Sequence, residues 1–572
     1  MGSETMGALS LIPPLLAILL AIFTRQVLIS LFLGIFSGAL LIVGGNPIDG
    51  LTQSIDWIVA TVTSEWNARF LVLIMFMGAG AALIYKSGSI IALERWIGDT
   101  VKNSRDSQLL TWLIGIFLFI DSYTSTIVTG NATKDISIRN NCSREAHSFA
   151  LDSTTSPVTT FGPISNWIGY QVSMIVLGFT TAGITAESVG VSEYSTFLRS
   201  IPWNLYCLLA FFMVGFVALT GRYYGPMLNA EWRSRKEGKT SRDGAVPMAR
   251  MEEDVGEPST KNPQLINFIL PIVVIIFVGL LAMWWIGEGY LPNVDFSTAM
   301  QQTNIAQALL YAAFAFMVVA MISSLVTRTM DLKLASQTIV NGFKTMMIAV
   351  AVIVLAKTIG GATREVGTAQ YVVDVFLDIG VPGTVLPILV FLTAMFIAFT
   401  TGTSWGTMAI ITPIGVVLGY EMVGFEIVPV LMGVIFGGAI FGDHVSPISD
   451  TTVMSSIFSE CDHIDHVKSQ MPFALTAAGV TLITLVLYAM GVNQAVVLVP
   501  LGFVLTIVAV VLLNKFDAKR KGLPEIMPSE AEIKAGRTEG TSEKMFNKMA
   551  IIAVVVASLY FVGLFFFAMM GR

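Results

Sequence analysis

One segment of the chain breaks an apolar helix with polar side chains. It follows the apolar run that begins at Val430 and reads Phe441-Gly442-Asp443-His444-Val445-Ser446-Pro447-Ile448-Ser449-Asp450-Thr451-Thr452. Gly442 and Pro447 interrupt the helix, and carboxylates, hydroxyls and an imidazole surround the break. In hydrocarbon each unsatisfied backbone or charged group costs several kcal/mol, so such a break persists only inside protein or beside a wet cavity. The segment therefore predicts a polar binding site within a membrane.

Composition explains why the segment is placed in a bilayer. The 572 residues are 54% hydrophobic and only 13% charged, which is far from the average of soluble domains. Apolar spans of about 17 to 25 residues recur along the chain and predict an all-α polytopic membrane protein. The net charge of -6 comes without a concentrated basic face, which argues against a nucleic-acid partner.

Other features of the chain exclude further site classes and set its orientation. Cys142, Cys207 and Cys461 are scattered without paired spacing, so neither a disulfide framework nor a zinc site is predicted. No basic residue precedes the first apolar run, and Arg25 follows it. This pattern predicts an uncleaved first helix with its N-terminus outside, in a multi-pass protein of a bacterial-type cytoplasmic (inner) membrane.

The first half, residues 1–220, contains a short apolar segment that does not fit a simple span. Leu109 to Ile120 is about twelve residues long, is too short to cross, and has basic residues on both sides. We interpret 107–133 as a re-entrant hairpin with a polar tip. The next segment, 146–180, is predicted to be a broken helix interrupted at 152–157. The linker 221–263 is rich in Lys and Arg, so it is predicted to be cytoplasmic and mobile.

The second half, residues 264–490, repeats this order in the opposite orientation. A hairpin is predicted at 383–420 and a broken helix at 427–460, which contains the segment described first. Residues 491–572 add two C-terminal helices with a cytoplasmic loop between them. Each half thus has a hydroxyl-rich hairpin tip followed by a Ser-Pro helix break. Inverted repeats with discontinuous helices are the architecture of secondary transporters.

The second-half motifs also resemble a known family. Gly402-Thr403-Ser404-Trp405-Gly406-Thr407, followed by Gly442 to Thr452, is similar to the signature of the NhaC family of sodium/proton antiporters, within the ion transporter superfamily. The resemblance implies exchange of sodium for protons, and in some members coupling to small organic anions such as malate and lactate. It also implies a homodimer with an elevator-type transport domain. Sodium and protons are the only implied ions, and no cofactor is expected.

The resemblance implies an ion site made from both halves. Sodium would bind through Asp443 and Asp450, and the proton-coupling residues would be Asp443 and His444. The full set of candidate ion-site or substrate-site residues is Asp443, Asp450, Ser446, Ser449, Thr452, Thr403 and Ser404 and, by pseudo-symmetry, Asp152, Ser153, Thr155, Ser156, Asp121, Thr124 and Ser125.

The predicted function is sodium/proton antiport by alternating access, in which the two ions compete for one carboxylate without a chemical step. The closest alternative is a sodium- or proton-coupled carrier of a small organic anion or amino acid. An intramembrane aspartyl protease would need Asp152 and Asp443 to act as an acid and base pair. It would leave the two hydroxyl-rich breaks unexplained, so no enzyme activity is predicted. A channel remains an alternative function, although the repeat favours a carrier.

Several of these residues also have purely structural interpretations. The carboxylates could cap half-helices, the hydroxyls could join helices, and His444 could be a hydrogen-bonded structural histidine. His463 and His466 are predicted to lie on the solvated face of a cytoplasmic loop. Lys357 and Arg364 could receive an anionic substrate or reach towards the membrane interface.

Overall fold

The computed structural model describes residues 6–540 with short gaps, and the structural statements below concern this part of the chain. The gaps are residues 25, 90, 93–95, 97–100, 118, 120–121, 163–164, 249–254, 257, 260–261, 295–298, 300–302, 369–370, 372–381 and 538–539. The regular structure of the described residues is helical and contains no strand, which confirms the all-α prediction. The expected last helix, 549–570, lies outside the described residues.

The first half and the first part of the linker form twelve helices among the described residues. They are α1 (Ile12–Thr24), α2 (Val27–Ile42), α3 (Pro47–Thr63), α4 (Glu65–Lys86), α5 (Ser104–Phe117), α6 (Ser122–Arg139), α7 (Arg144–Phe161), α8 (Asn166–Thr181), α9 (Ala186–Val189), α10 (Glu193–Ser200), α11 (Leu205–Thr220) and α12 (Pro226–Glu237). Asn46 caps α3 by accepting from the Ile48 backbone N–H. The chain bends by 118° between α2 and α3.

The second half forms ten further helices among the described residues. They are α13 (Ile266–Ile286), α14 (Ile305–Val326), α15 (Leu332–Glu365), α16 (Leu386–Thr401), α17 (Ser404–Met422), α18 (Val428–Val445), α19 (Asp450–Phe458), α20 (His463–Ala489), α21 (Ala495–Lys521) and α22 (Glu530–Lys534). Short 3-10 turns precede α16 and α18.

Several of these helices are long and apolar enough to cross a bilayer. Seven qualify among the described residues, or up to nine if each of two bent pairs counts as one span. Their enclosure by protein differs strongly: 89% of the span that contains α18 is buried inside the protein, whereas the figure for α13 and α21 is 33%. Helix α18 therefore lies at the centre of the protein and is shielded from lipid.

The helices pack as two bundles, and each half of the sequence contributes to both. The first bundle comprises α1–α4 and α13–α15. The second comprises α5–α8, α10, α11 and α16–α21. The main contacts between the bundles are made by α15 with α19 and by α1 and α15 with α16. The predicted hairpin segments of both halves and the break between α18 and α19 therefore lie in the second bundle.

The predicted break of the second half is present. Helix α18 ends at Val445, Ser446 is extended, and α19 begins at Asp450. Within the segment predicted as a hairpin the chain turns between two helices, because α16 ends at Gly402, whose φ is +65°, and Thr403 caps α17. A left-handed residue at a helix end favours glycine. Helices α5 and α6 likewise pack against each other on either side of the first predicted hairpin tip.

The break predicted at 152–157 is wrong. Helix α7 continues through Pro157 to Phe161, and α8 begins at Asn166. Proline inside a helix removes one backbone hydrogen bond, here the one to the Ser153 carbonyl. The hydroxyls of Thr154, Thr159 and Thr160 donate to the backbone carbonyls of Ala150, Ser156 and Pro157. Asp152 is therefore a mid-helix residue, with an intact backbone around it.

Glycine permits the close approach of the hairpin to α18. A Cβ at Gly442 would lie 2.5 Å from the Ala398 carbonyl carbon and 2.5 Å from the Phe399 nitrogen. A Cβ at Gly402 would lie 2.7 Å from the Ile448 carbonyl oxygen. Both contacts involve backbone, which cannot move aside as a flexible side chain can. The hairpin end and the helix break are therefore in direct backbone contact.

The first part of the linker is packed against both halves, which corrects the expectation of a mobile connector. Glu231 of α12 is buried and accepts hydrogen bonds from Ser104, Ser143 and Arg235. Burial alone would lower the pKa of Arg235, but Glu231 and Tyr223 outweigh it, so the pKa lies above its ordinary value. Further along the loop, Arg242 forms ion pairs with Asp462 and Asp465 before α20.

Candidate functional site

Asp443 lies in the last turn of α18, immediately before the helix break, and is fully buried. Neither of its carboxylate oxygens accepts a hydrogen bond from a described residue. Asp450 and Asp152 are the nearby like charges, and the Ser404 and Ser449 hydroxyls lie close to the carboxylate without meeting the geometry of a hydrogen bond. A buried ionised carboxylate is costly unless it is paired. Asp443 is therefore a carboxylate suited to a proton or to a cation.

Asp152 lies in the middle of α7 and is also fully buried, but its oxygens have partners. Ser455 donates to Oδ1 at 2.9 Å, and the Gln470 amide donates to Oδ2 at 2.6 Å. The Thr452 hydroxyl is 3.4 Å from Oδ2. All three donors come from the second half of the chain. The structure thus joins the two halves at Asp152, with both of its oxygens already hydrogen-bonded.

Asp450 is the first residue of α19 and faces a cavity of about 450 Å³. Its Oδ2 accepts from the Tyr123 hydroxyl at 2.7 Å and from the Lys357 ammonium at 3.0 Å. Tyr123 belongs to the first hairpin and Lys357 to the other bundle. The charge of Asp450 is therefore balanced by a fixed cation, in contrast to that of Asp443.

The candidate hydroxyls of the second half support the break and the hairpin end. Ser446 donates to the Phe399 carbonyl at 2.8 Å, and Thr452 donates to the Asp443 carbonyl. Thr403 caps α17 by accepting from the Gly406 N–H. Ser449 lies 3.1 Å from the Thr451 hydroxyl, and both Ser449 and Ser404 act on Asp443. Ser404 and Ser449 are thus the two predicted hydroxyls that act on the Asp443 carboxylate.

The candidate hydroxyls of the first half are spread along α6 and α7. Ser153 contacts the Gln470 amide oxygen at 3.4 Å, and Thr155 contacts Thr126 at 2.8 Å. The hydroxyls of Ser125 and Ser156 are buried and have no partner among the described residues. Asp121 lies outside the described residues. Thr124 lies in α6, but its side chain is also outside them.

The two hairpin regions meet through aromatic side chains. Trp167 of α8 donates to the Ser122 hydroxyl at 3.2 Å, and its ring centroid lies 5.1 Å from that of Trp405. The Tyr170 hydroxyl donates to the Trp405 carbonyl at 2.8 Å. These contacts bring the first residues of α6 and α17 to one region of the second bundle. Residues from both halves of the chain therefore meet in this region.

The histidines near the break are all buried. His444 Nδ1 is 2.8 Å from the Tyr206 hydroxyl, while its Nε2 has no partner in the described part of the chain. His463 and His466, predicted to be solvated, are 3% and 0% exposed. Both rings contact the hydroxyl of Ser456, which was not among the predicted site residues. The three-residue spacing of the two histidines is the one signal in the sequence that could have indicated that they lie together.

The cavity beside Asp450 combines charged, hydroxyl and aromatic groups. Lys357, Arg364 and Glu365 come from α15, whereas Thr403 and Asp450 come from the second bundle. The remaining lining residues are Trp57, Ala60, Thr61, Asn67, Tyr123, Thr358, Gly360, Gly361, Ala362, Thr401, Gly402, Trp405 and Ile448. Its volume lies in the range of small-molecule sites. The cavity therefore lies between the bundles and has groups of both charges.

The described residues contain no group of three or more His, Cys, Asp or Glu that would hold a metal tightly. Hydroxyl, carbonyl and carboxylate oxygens are ligands for hard cations, and broken helices in transporters supply such oxygens. The arrangement around Asp443 thus supplies oxygens suited to reversible binding of a proton or a small cation.

Comparison with known proteins agrees with this geometry. A protein of Haemophilus influenzae described only as uncharacterized is 30% identical over 483 residues, which are 82% of this chain and 89% of that protein. A malate-2H(+)/Na(+)-lactate antiporter of Bacillus subtilis is 32% identical over 25% of this chain and 30% of its own length. An arginine/ornithine antiporter of Halobacterium salinarum is 32% identical over 22% of this chain and 24% of its own length. The model of the Na+/H+ antiporter family matches residues 158–490, and the chain belongs to that family.

Proposed function

We propose that this chain exchanges sodium ions for protons by alternating access of one site at Asp443. The observation that carries the proposal is a fully buried carboxylate whose oxygens accept no hydrogen bond from the described residues. Such a group is stable in the interior when it is protonated or when it holds a cation. Because the two occupants exclude each other, release of one accompanies binding of the other.

The sodium ligands we propose are Asp443 with the hydroxyls of Ser404 and Ser449. The C-terminal end of α18 adds the negative end of a helix dipole, which favours a cation. Asp450 is balanced by Lys357, and Asp152 and Thr452 are hydrogen-bonded to each other. We therefore assign these three residues to the surroundings of the ion and not to its coordination. His444, next in sequence, is proposed to assist proton coupling.

The test is Asp443→Asn in proteoliposomes with an imposed sodium gradient. We expect sodium-driven proton movement to be lost, because the amide binds neither ion as a carboxylate does. Asp56→Asn, the same change at an exposed position on α3, is the matched control and should exchange normally. Normal exchange by Asp443→Asn would remove this residue from the mechanism.

We also propose that the chain consists of two inverted repeats, 1–220 and 264–490, and that the second bundle moves against the first as an elevator. Support comes from the position of both hairpins and of the α18–α19 break in the second bundle, together with the sparse contacts between bundles. Cross-linking α15 to α19 through paired cysteines is expected to stop transport. Undiminished transport by the cross-linked protein would contradict the elevator.

Assembly and orientation are part of the same proposal. We propose a homodimer in a bacterial-type cytoplasmic membrane with the N-terminus outside, as the distribution of basic loops predicts. The mass of the purified protein in detergent, corrected for bound detergent, tests the dimer. Labelling of a cysteine introduced at the N-terminus of the chain by a membrane-impermeant reagent in intact cells tests the orientation.

A second candidate function is sodium- or proton-coupled transport of a small organic anion or amino acid. The cavity between the bundles favours it, because Lys357 and Arg364 line a volume of about 450 Å³ that fits a small solute. Two relatives are antiporters of organic solutes by name. Sodium flux in vesicles with and without malate, lactate, arginine or ornithine separates the candidates. Flux that needs no solute supports simple sodium/proton exchange.

A further inference from the structure

Two histidines of α20 face the same hydroxyl at the end of α19. His463 Nδ1 and His466 Nδ1 each lie 2.9 Å from Ser456 Oγ. The Ser456 hydroxyl is fully buried, and it also lies 2.8 Å from the Thr452 carbonyl oxygen. One hydroxyl carries one hydrogen, so the protonation of the two rings can be worked out from their other contacts.

The other nitrogen of His463 must carry a hydrogen. His463 Nε2 lies 2.8 Å from the Pro447 carbonyl oxygen, which can only accept. A neutral imidazole has one N–H and one bare nitrogen. If His463 is neutral, its Nδ1 is therefore the bare nitrogen and needs a donor. Within the described part of the chain, Ser456 Oγ is the hydrogen-bond partner of that nitrogen.

The same argument holds for His466 and depends on the orientation of Gln470. The Gln470 amide nitrogen donates to the His444 carbonyl at 2.9 Å and to Asp152 at 2.6 Å. A carbonyl only accepts, so this contact fixes the nitrogen side of the amide. The amide oxygen then lies 3.0 Å from His466 Nε2. His466 Nε2 must donate to it, and a neutral His466 would also have a bare Nδ1.

Two neutral rings would thus direct two bare nitrogens at a hydroxyl with one hydrogen. At least one nitrogen would then face an oxygen lone pair without a hydrogen between them. A missing hydrogen bond is costly in a buried place. One extra proton removes the conflict. One ring then donates to Ser456 Oγ, and the hydroxyl gives its one hydrogen to the other ring rather than to the Thr452 carbonyl.

The surroundings supply a counter-charge for this proton. Asp152 Oδ2 on α7 lies 3.7 Å from His466 Nε2. Burial disfavours a positive charge on both rings, and a charge on His466 disfavours one on His463 and on His444 of α18. The Pro447 carbonyl and Asp462, which caps α20, favour the charge on His463, and the Gln470 amide and the Thr452 carbonyl favour it on His466. We propose that His463, Ser456 and His466 share one additional proton, and that with Asp152 they form a proton-binding site separate from Asp443.

This site goes beyond the exchange proposed at Asp443. It is connected to that residue through Thr452, whose hydroxyl donates to the Asp443 carbonyl, and through the charge of Asp152. Its oxygens and nitrogens are taken up by hydrogen bonds. Its ligand is a proton and not sodium. The proposal holds whether the transported solute is sodium alone or an organic ion.

Nitrogen NMR of histidine tests the proposal directly. The chain has four histidines, so full-length protein labelled with 15N-histidine in lipid nanodiscs gives a spectrum that single substitutions can assign. At pH 7.5 an ordinary histidine is only about 10% protonated. We expect the signature of one imidazolium, with both nitrogens protonated, and three neutral rings. Four neutral rings at pH 7.5 would overturn the proposal.

Two variants connect the signal to the site. Ser456→Ala removes the oxygen that both Nδ1 atoms face and changes little volume, so we expect the imidazolium signal to disappear from a folded protein. His147→Asn is the control, because His147 contacts Thr133 and lies outside this network; the signal should persist. An imidazolium that persists in both Ser456→Ala and His466→Asn would belong elsewhere, which also contradicts the proposal.

Discussion

The Lys357 ammonium lies 3.0 Å from Asp450 Oδ2 and joins α15 of one bundle to α19 of the other. The same ammonium lies 5.4 Å from the centre of the Phe70 ring. Both side chains are partly buried, with 18% and 13% of their area exposed. This ion pair separates the roles of the two carboxylates beside the break, since Asp450 has an internal cation and Asp443 has none.

Removal of Lys357 should therefore increase the affinity for sodium. In Lys357→Met the charge of Asp450 is no longer balanced and attracts a cation to the adjoining site. A partly exposed ion pair contributes about 1 kcal/mol, which corresponds to an affinity change of about fivefold. We expect half-saturating sodium in proteoliposome flux to fall by about this factor. Lys357→Arg keeps the charge and should resemble wild type, and an unchanged sodium requirement in Lys357→Met would contradict the interpretation.

The hairpin end and the break before Asp450 were predictable because their causes are local. Gly402 ends a helix where a left-handed conformation is needed, and polar residues around Pro447 interrupt an apolar run. Their effect on the backbone does not depend on distant parts of the chain. The same local argument was wrong at Pro157, where the helix continues through the proline to Phe161.

The pairing of distant side chains was not predictable. Asp450 and Lys357 are 93 residues apart, and neither sequence context specifies the other as a partner. The burial of His466 depends on contacts from Gln470 and on the linker residue Arg242, which pairs with Asp462. A polar, charged segment beside a predicted membrane helix resembles a solvated loop in sequence. Only the packing of the linker against it reveals that it is enclosed.

Gly442 tests the close packing of the hairpin against α18. In Gly442→Ala the new methyl group would meet the backbone at Ala398 and Phe399, so helix α16 must shift. Overpacking of this kind costs about 1–3 kcal/mol. We expect a lower thermal unfolding temperature in detergent and reduced exchange, because Ser446 loses its position against the Phe399 carbonyl.

Gly479 provides the control for this change. It lies within α20, and a Cβ there would meet nothing within 4 Å. Alanine is favoured over glycine in a helix by about 0.5–1 kcal/mol, so Gly479→Ala should unfold at the same or a slightly higher temperature. Equal unfolding temperatures for the two variants would mean that α16 accommodates the extra methyl group.

The buried ion pair of the linker tests whether α12 is part of the folded structure. Glu231 and Arg235 are 0% and 5% exposed, and their closest atoms are 2.6 Å apart. In Glu231→Gln the guanidinium stays buried without its counter-charge, which costs about 3–5 kcal/mol. We expect a clear loss of thermal stability. Asp243→Asn breaks the exposed pair with Lys239 and should not change it; a similar result for both variants would indicate that α12 does not stabilise the protein.

Arg364 distinguishes the two candidate functions. It lines the cavity together with Lys357 and Glu365 and is not among the groups proposed to hold the ion at Asp443. A guanidinium binds a carboxylate through paired hydrogen bonds, so Arg364→Gln should weaken binding of an organic anion by about 2 kcal/mol and raise its half-saturating concentration about thirtyfold. Sodium/proton exchange without solute should be unaffected. Solute-dependent flux that is insensitive to Arg364→Gln would exclude this cavity as the carboxylate site, whereas loss of solute-free exchange would show that Arg364 acts on the ion pathway itself.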